Sequence, residues 1–211
     1  MRLLAADATG NTMSLALGGE GRTWSVRRRG GDHDEKLWPV LRGLLKRAGW
    51  RLEDLDAVAC STGPGRFTGV RVGLAFASTL AASLEIPAVG VSFLEAAAWQ
   101  ARARADAPPR FCVRLPAGHR KGEEDAELYL QAFGPGAPGK PLWTRASEAG
   151  PILARLTRGG KDPVLEPGAA FPWPLEARHL LEPARAALEA GRPGPCAPLY
   201  LKPANFQLPR S

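Results

Sequence analysis

The stretch Ser61-Thr62-Gly63-Pro64-Gly65-Arg66-Phe67-Thr68-Gly69-Val70-Arg71-Val72-Gly73 limits what this chain can fold into more than any other. It follows a short apolar run at 56–61 with strand character, and it opens a long apolar segment at 68–84 with helical character. Strand, glycine loop and helix in that order give backbone N–H groups and the positive end of a helix dipole a shared direction, which suits an anion such as phosphate. The stretch is nevertheless no Walker loop. It lacks the lysine of G-x-x-x-x-G-K-[ST], and glycines at 63, 65 and 69 do not match G-x-G-x-x-G. A phosphate-touching loop and a purely structural turn both remain open. Gly69, Gly73, Ala77 and Ala81 recur every four residues and form a stripe of small side chains. Such a stripe packs closely, either on the chain's own sheet or against helices of another subunit.

The flanking sequence fits an α/β architecture. Runs at 3–6, 13–17 and 23–26, separated by Gly10-Asn11 and Gly18-Gly19, predict a meander of three strands. Leu37, Trp38, Leu41, Leu44, Leu45 and Ala48 follow at helical spacing, with Lys46 and Arg47 in the last turn and Gly49 placed as the cap. A strand at 86–91 and a helix at 93–103 continue the alternation. Only Pro39, Pro64 and Pro87 of the 20 prolines lie in the first 100 residues. The charged segment 103–110, ending in Pro108-Pro109, therefore divides the chain into a unit at 1–105 and a smaller Pro/Gly-rich unit at 106–211. In the second unit the pattern predicts strands at 111–115, 126–133 and 163–166, helices at 150–158 and 175–189, and loops at 134–141 and 191–198. The terminal run Pro198-Leu199-Tyr200-Leu201 is expected to return and pair with the rest. No repeat of fixed period is visible.

Composition narrows the function. With 211 residues and 45% apolar content the chain can bury a substantial core. The apolar run near Met1 ends at Asp7, too short for a secretory leader, and no stretch reads as the roughly 18 apolar residues of a membrane span. A soluble cytoplasmic protein with no membrane contact is expected. Cys60, Cys112 and Cys196 are far apart and lack C-x-x-C spacing, so buried structural thiols are expected rather than a disulfide frame. His33, His119 and His179 are equally scattered, which predicts no metal site. A formal charge of +7, with Arg27-Arg28-Arg29 its only run of three Lys or Arg, would suit contact with RNA, though a solvated strand end is the simpler reading of that run.

One family has this pattern of motifs. Gly63-Pro64-Gly65-Arg66-Phe67-Thr68-Gly69-Val70-Arg71-Val72-Gly73 resembles the G-P-G-S-F-T-G-[LI]-R-[IV]-G signature of TsaB (YeaZ) proteins. Leu4-Ala5-Ala6-Asp7-Ala8-Thr9 resembles the family's opening strand L-A-[IL]-D-T-[SA]-T, and His33-Asp34-Glu35-Lys36-Leu37-Trp38-Pro39 its helix start H-S-E-x-L-L-P. Pro198-Leu199-Tyr200-Leu201-Lys202 resembles its terminal P-x-Y-L-R. The first 100 residues are covered well, the second half only at its end. The departure is Arg66, a cation where the family has serine and where the helix dipole disfavours positive charge.

The resemblance implies a two-lobed fold of the actin, Hsp70 and sugar-kinase group, with ribonuclease H-like sheets and a reduced second lobe. It implies a non-catalytic subunit that dimerises with the TsaD-type transferase, which forms threonylcarbamoyladenosine at position 37 of tRNAs. A TsaE-type ATPase joins the complex and tRNA is met through it. The expected partner interface is Leu37, Trp38, Leu41, Leu45, Gly69, Arg71, Gly73 and Ala77 on the first two helices, a face that can also make a homodimer when the chain is alone. Asp7, Thr9, Gly65 and Arg66 are candidates for vestigial or interfacial nucleotide contacts. No catalytic residue, metal or cofactor is expected on this chain alone, with ATP or ADP and metal left to the complex. Two rivals remain: a degenerate nucleotide-binding ATPase of the same fold, and a direct tRNA-binding accessory protein. A peptidase reading lacks a Ser/His/Asp or metal constellation.

Overall fold

The structure is a computed structural model and describes residues 1–29, 33–117, 125–172 and 174–202. The opening meander forms as its period-two pattern predicts: β1 (Leu3–Asp7), β2 (Thr12–Gly19) and β3 (Arg22–Arg29) pair antiparallel in sequence. Helix α1 (His33–Ala48) follows, contains Pro39, and ends at Gly49, which adopts φ +70°. That left-handed position is the one glycine occupies without a Cβ penalty. Next come β4 (Ala57–Ser61), α2 (Phe67–Leu84), β5 (Ala88–Val91) and α3 (Phe93–Arg102). Strands β4 and β5 run parallel to β1, giving a five-stranded sheet of order β3-β2-β1-β4-β5. Helix α3 starts on a capping box: the Glu95 amide donates to Ser92 Oγ at 3.1 Å, and the Ser92 amide donates to Glu95 Oε2 at 2.9 Å.

The second half builds a smaller sheet from β6 (Phe111–Pro116), β7 (Glu127–Phe133), β8 (Leu142–Arg145) and β9 (Val164–Leu165), in the order β8-β7-β6-β9. Strands β6 to β8 are an antiparallel meander and β9 lies parallel to β6, so the arrangement of β1 to β4 is repeated in miniature. Helix α4 (Ala149–Leu156) precedes β9. The stretch expected to be one helix from 175 is a 3-10 turn at Ala177–Leu180 followed by α5 (Leu181–Glu189). Strand β8 was not expected; four residues at a sheet edge are too few to establish a period.

Two cores flank the first sheet, because alternate strand residues point to opposite faces. Leu4, Ala6, Leu15, Leu17, Val58 and Cys60 face α1 and α2. Leu3, Ala5, Ala16, Ala57 and Ala59 face α3, α5 and the second sheet, meeting Phe111, Val113, Leu115, Tyr129 and Phe133. Helix α2 has the length and apolarity of a membrane span by composition, contrary to the expectation that no stretch approaches one. Gly69, Val70, Gly73, Leu74, Phe76, Ala77, Leu80 and Ala81 are nevertheless buried within this fold.

Candidate partner-binding site

The glycine loop is spent on the chain's own backbone. The Arg66 amide donates to the Thr9 carbonyl at 2.7 Å, the Phe93 amide to the Gly63 carbonyl at 2.8 Å, and the Leu199 amide to the Thr62 carbonyl at 2.8 Å. A Cβ on Gly65 would lie 2.5 Å from Thr9 Cβ, and one on Gly69 would lie 2.0 Å from the Ala8 carbonyl oxygen. The two glycines therefore let the start of α2 sit directly on the turn after β1. Arg66 reaches sideways, where its guanidinium donates to Asn11 Oδ1 at 2.9 Å.

Asp7 and Thr9 occupy the same turn. Asp7 is buried, and its Oδ1 accepts the Thr9 amide at 3.0 Å and the Thr9 hydroxyl at 2.7 Å. Burial pushes the Asp7 carboxyl up to about 6, against the pull of the two Thr9 hydrogen bonds, and the nearby Glu176 carboxylate adds to the rise. The structure thus brings Asp7, Thr9, Gly65 and Arg66 together, as a self-satisfied turn. Arg27 of the basic run pairs with Glu176 at 3.3 Å.

The residues expected to meet a partner divide in two. Leu37, Leu41, Leu45, Gly69, Gly73 and Ala77 are buried by the chain's own sheet, so the stripe of small residues packs inward rather than outward. An apolar stripe on a helix must be covered, and here β1, β2 and β4 cover it. Trp38 and Arg71 remain exposed. Trp38 is 44% exposed and sets its ring edge-on to Phe76 of α2, with centroids 5.2 Å apart. Beside it, Trp38, Leu41, Arg42, Leu45, Lys46, Trp50 and Leu52 line a groove of about 450 Å³. The outward side of α2 carries the small residues Thr68, Ala75, Ser78, Thr79 and Ala82.

Arg71 is held by the end of the described chain. Its guanidinium lies 3.7 Å from the centroid of the Phe67 ring, and its Nε donates to the Tyr200 hydroxyl at 3.0 Å, while Phe67 and Tyr200 stack at 5.2 Å. Tyr200 belongs to a strap, 192–202, that runs back over the first sheet. The Gly90 amide donates to the Gly194 carbonyl at 2.9 Å, and Lys202 pairs with Glu127 at 2.5 Å. The terminal apolar run therefore returns as expected, by single backbone bonds rather than as a strand.

Among the described residues no three His, Cys, Asp or Glu side chains come together as a metal site. His119 lies outside the described residues. His179 is buried, and its Nδ1 accepts the Glu176 amide at 2.9 Å. Gly159 and Gly160 form a turn after α4, closed by the Gly160 amide on Thr157 Oγ1 and by Arg158 on Asp162. Cys60 and Cys112 are buried and Cys196 is half-buried. Sequence spacing gave no sign that Cys60 and Cys196 meet, yet Cys196 packs against the buried cluster that contains Cys60.

Two sheets, each a meander continued by a parallel strand, define a protein of the actin, Hsp70 and sugar-kinase class with ribonuclease H-like sheets. Residues 28–122 match the family model described as TsaD, tRNA N6-adenosine threonylcarbamoyltransferase. The chain is 37% identical over 97 residues to the tRNA threonylcarbamoyladenosine biosynthesis protein TsaB of Escherichia coli, a match covering 44% of this chain and 41% of the relative. With the Bacillus subtilis protein of the same name it shares 35% over 104 residues, covering 48% and 45%. The aligned stretch thus spans less than half the length of either curated relative. The solved structure of YeaZ from Pseudomonas aeruginosa superposes over 95% of this chain and 99% of its own, with a TM-score of 0.66 at 25% identity. The chain is thus similar in sequence to TsaB proteins and in fold to YeaZ.

Proposed function

We propose that this chain serves the formation of threonylcarbamoyladenosine in tRNA, in the cytoplasm, as a non-catalytic subunit that docks through α1 and α2 on a TsaD-type transferase. One observation carries the reading: Trp38 stands 44% exposed against Phe76, beside an apolar groove rimmed by Arg42 and Lys46. An exposed aromatic next to an apolar floor is the usual anchor of a protein interface, and the small outward residues of α2 let a partner helix approach closely. The relatives named as tRNA threonylcarbamoyladenosine biosynthesis proteins support the pathway. The Asp7 carboxylate is engaged by Thr9, which supports a structural role for it over an ATPase one.

On this reading a TsaE-type ATPase and tRNA are met through the complex. Any nucleotide or metal belongs to the complex, and the free chain pairs with a second copy through the same face. Co-purification with the cognate transferase tests the docking. Trp38→Ala and Ala75→Arg change positions on the outer side of the helices and should leave the chain folded while losing the transferase. Failure of the wild type to bind, or undiminished binding by both variants, would overturn the reading.

A further inference from the structure

Two cysteines separated by 135 intervening residues in sequence come together where the strap crosses the first sheet. Cys60 lies in β4, directly opposite Gly90 of β5 in the parallel register. Gly90 donates its amide to Gly194, two residues before Cys196, and Thr62, two residues after Cys60, accepts the amide of Leu199. These two backbone bonds bracket Cys196 and bring it against the core that contains Cys60. The approach is close: a Cβ on Gly90 would lie 2.0 Å from the Pro195 carbonyl oxygen. Cys60 is fully covered, whereas Cys196 is half-buried and open on one side to a small reagent.

We propose that Cys60 and Cys196 form a redox pair, oxidised to a disulfide by a low-molecular-weight disulfide such as glutathione disulfide, and that the bond staples the strap 192–202 to the first sheet. Cys196 is the attacking sulfur. Its thiolate is favoured by the hydrogen bond from the Cys60 thiol, opposed by partial burial and helped by the Ser78 hydroxyl, while the same contact and burial push the Cys60 thiol up.

In the first step the Cys196 thiolate attacks one sulfur of the reagent and expels one thiolate, which takes the proton Cys196 gave up. A mixed disulfide remains on Cys196. Cys60 no longer faces a thiolate, so the largest cause of its raised pKa is gone. It loses its proton, attacks the Cys196 sulfur and expels the second thiolate, which takes that proton. The two cysteines together lose two electrons, and the reagent becomes two thiols. The sulfurs must close to a bond of about 2.05 Å. The strap, held nearby by the two single backbone bonds, is the part that can move.

The staple would fix Tyr200, and through it Arg71, against α2 without requiring any partner. The test therefore uses the full chain alone, equilibrated in glutathione buffers of increasing oxidised fraction. The expected result is loss of two hydrogens in the intact mass, a cross-linked peptide joining Cys60 to Cys196, and a rise in melting temperature of about 5–10 °C. Amide exchange at Gly90 and Leu199 should slow by about tenfold or more. Cys196→Ser and Cys60→Ala should abolish the cross-link, and Cys112→Ser should keep it. A stable glutathione adduct on Cys196 that never resolves would overturn the proposal. So would a Cys196 that does not react in the folded chain, or a cross-link that forms only after denaturation.

Discussion

Gly69 rests on the backbone of Ala8, so closely that a Cβ on it would stand 2.0 Å from the Ala8 carbonyl oxygen. Backbone cannot yield as a flexible side chain does, so Gly69→Ala must displace the start of α2 from the β1 turn. The expected loss of stability is about 3 kcal/mol or more. Gly73, one turn on, is different: its nearest neighbours to an added Cβ are Ala8 N at 3.6 Å and Ala8 Cβ at 3.8 Å, ordinary contacts. Gly73→Ala should therefore be tolerated and gain about 0.5–1 kcal/mol from helix propensity. Urea denaturation of the two variants reads the contrast directly, and a Gly69→Ala protein as stable as wild type would remove the packing explanation of the motif.

The same pair shows what was legible in the sequence. Period-two and helical patterns, punctuated by glycine and proline, placed β1 to β5, α2 and α3 within about three residues of their observed bounds, whereas the apolar spacing that marks α1 begins at Leu37, four residues after the helix starts at His33. The stripe Gly69, Gly73, Ala77 and Ala81 was legible as a close-packing face, but its partner was not. Periodicity tells which side of a helix must be covered and is silent on whether the cover is the chain's own sheet or another subunit. The meeting of Cys60 with Cys196 was invisible for a related reason: it depends on how the strap returns, which only the tertiary fold decides. Strand β8 and the broken start of α5 were missed because each regular piece is short.

Asp7 gives a pH signature. Its carboxyl is raised from an ordinary value of 3.8 to about 6, so the stability it lends is fully present below about pH 4 and is lost as pH rises through about 6. At pH 7 the buried charge costs about 2–3 kcal/mol. Asp7→Asn keeps an oxygen for the Thr9 bonds and removes the charge. It should be more stable than wild type at pH 7 and no more stable at pH 4, measured by denaturant titration at both values. An Asn variant destabilised equally at both pH values would contradict this.

His179 bends the curve the other way. Burial, helped by the neighbouring Arg178 and opposed by Glu176, holds its imidazole below the ordinary value of 6.5. The stability it lends is present above pH 6.5 and is lost as pH falls through the lowered folded value, since a protonated Nδ1 cannot accept the Glu176 amide. In an Asp7→Asn background, which removes the opposing limb, stability should fall on acidification from pH 7 to pH 5. His179→Asn, which does not titrate there, should flatten that fall. If the slope is the same with and without His179, the imidazole is not its source.

Charge at the candidate docking groove leads to the last prediction. Arg42 and Lys46 rim an apolar floor of Leu41, Leu45, Trp50 and Leu52, and among the described residues no acidic side chain lines it. A partner that fills the groove with an apolar side chain is favoured when carboxylates flank that side chain, because like charges at such a rim repel and opposite charges speed encounter. Binding to the transferase should therefore weaken as salt rises from about 0.05 to 0.5 M, where screening shortens from over ten ångströms to a few. Arg42→Glu should weaken it by about tenfold at low salt, with most of the change in the association rate. The two effects must coincide: a rim that acts through charge loses the penalty of Arg42→Glu at high salt. Should the variant be equally impaired at both salt concentrations, Arg42 acts by its shape against Trp38 and not by its charge.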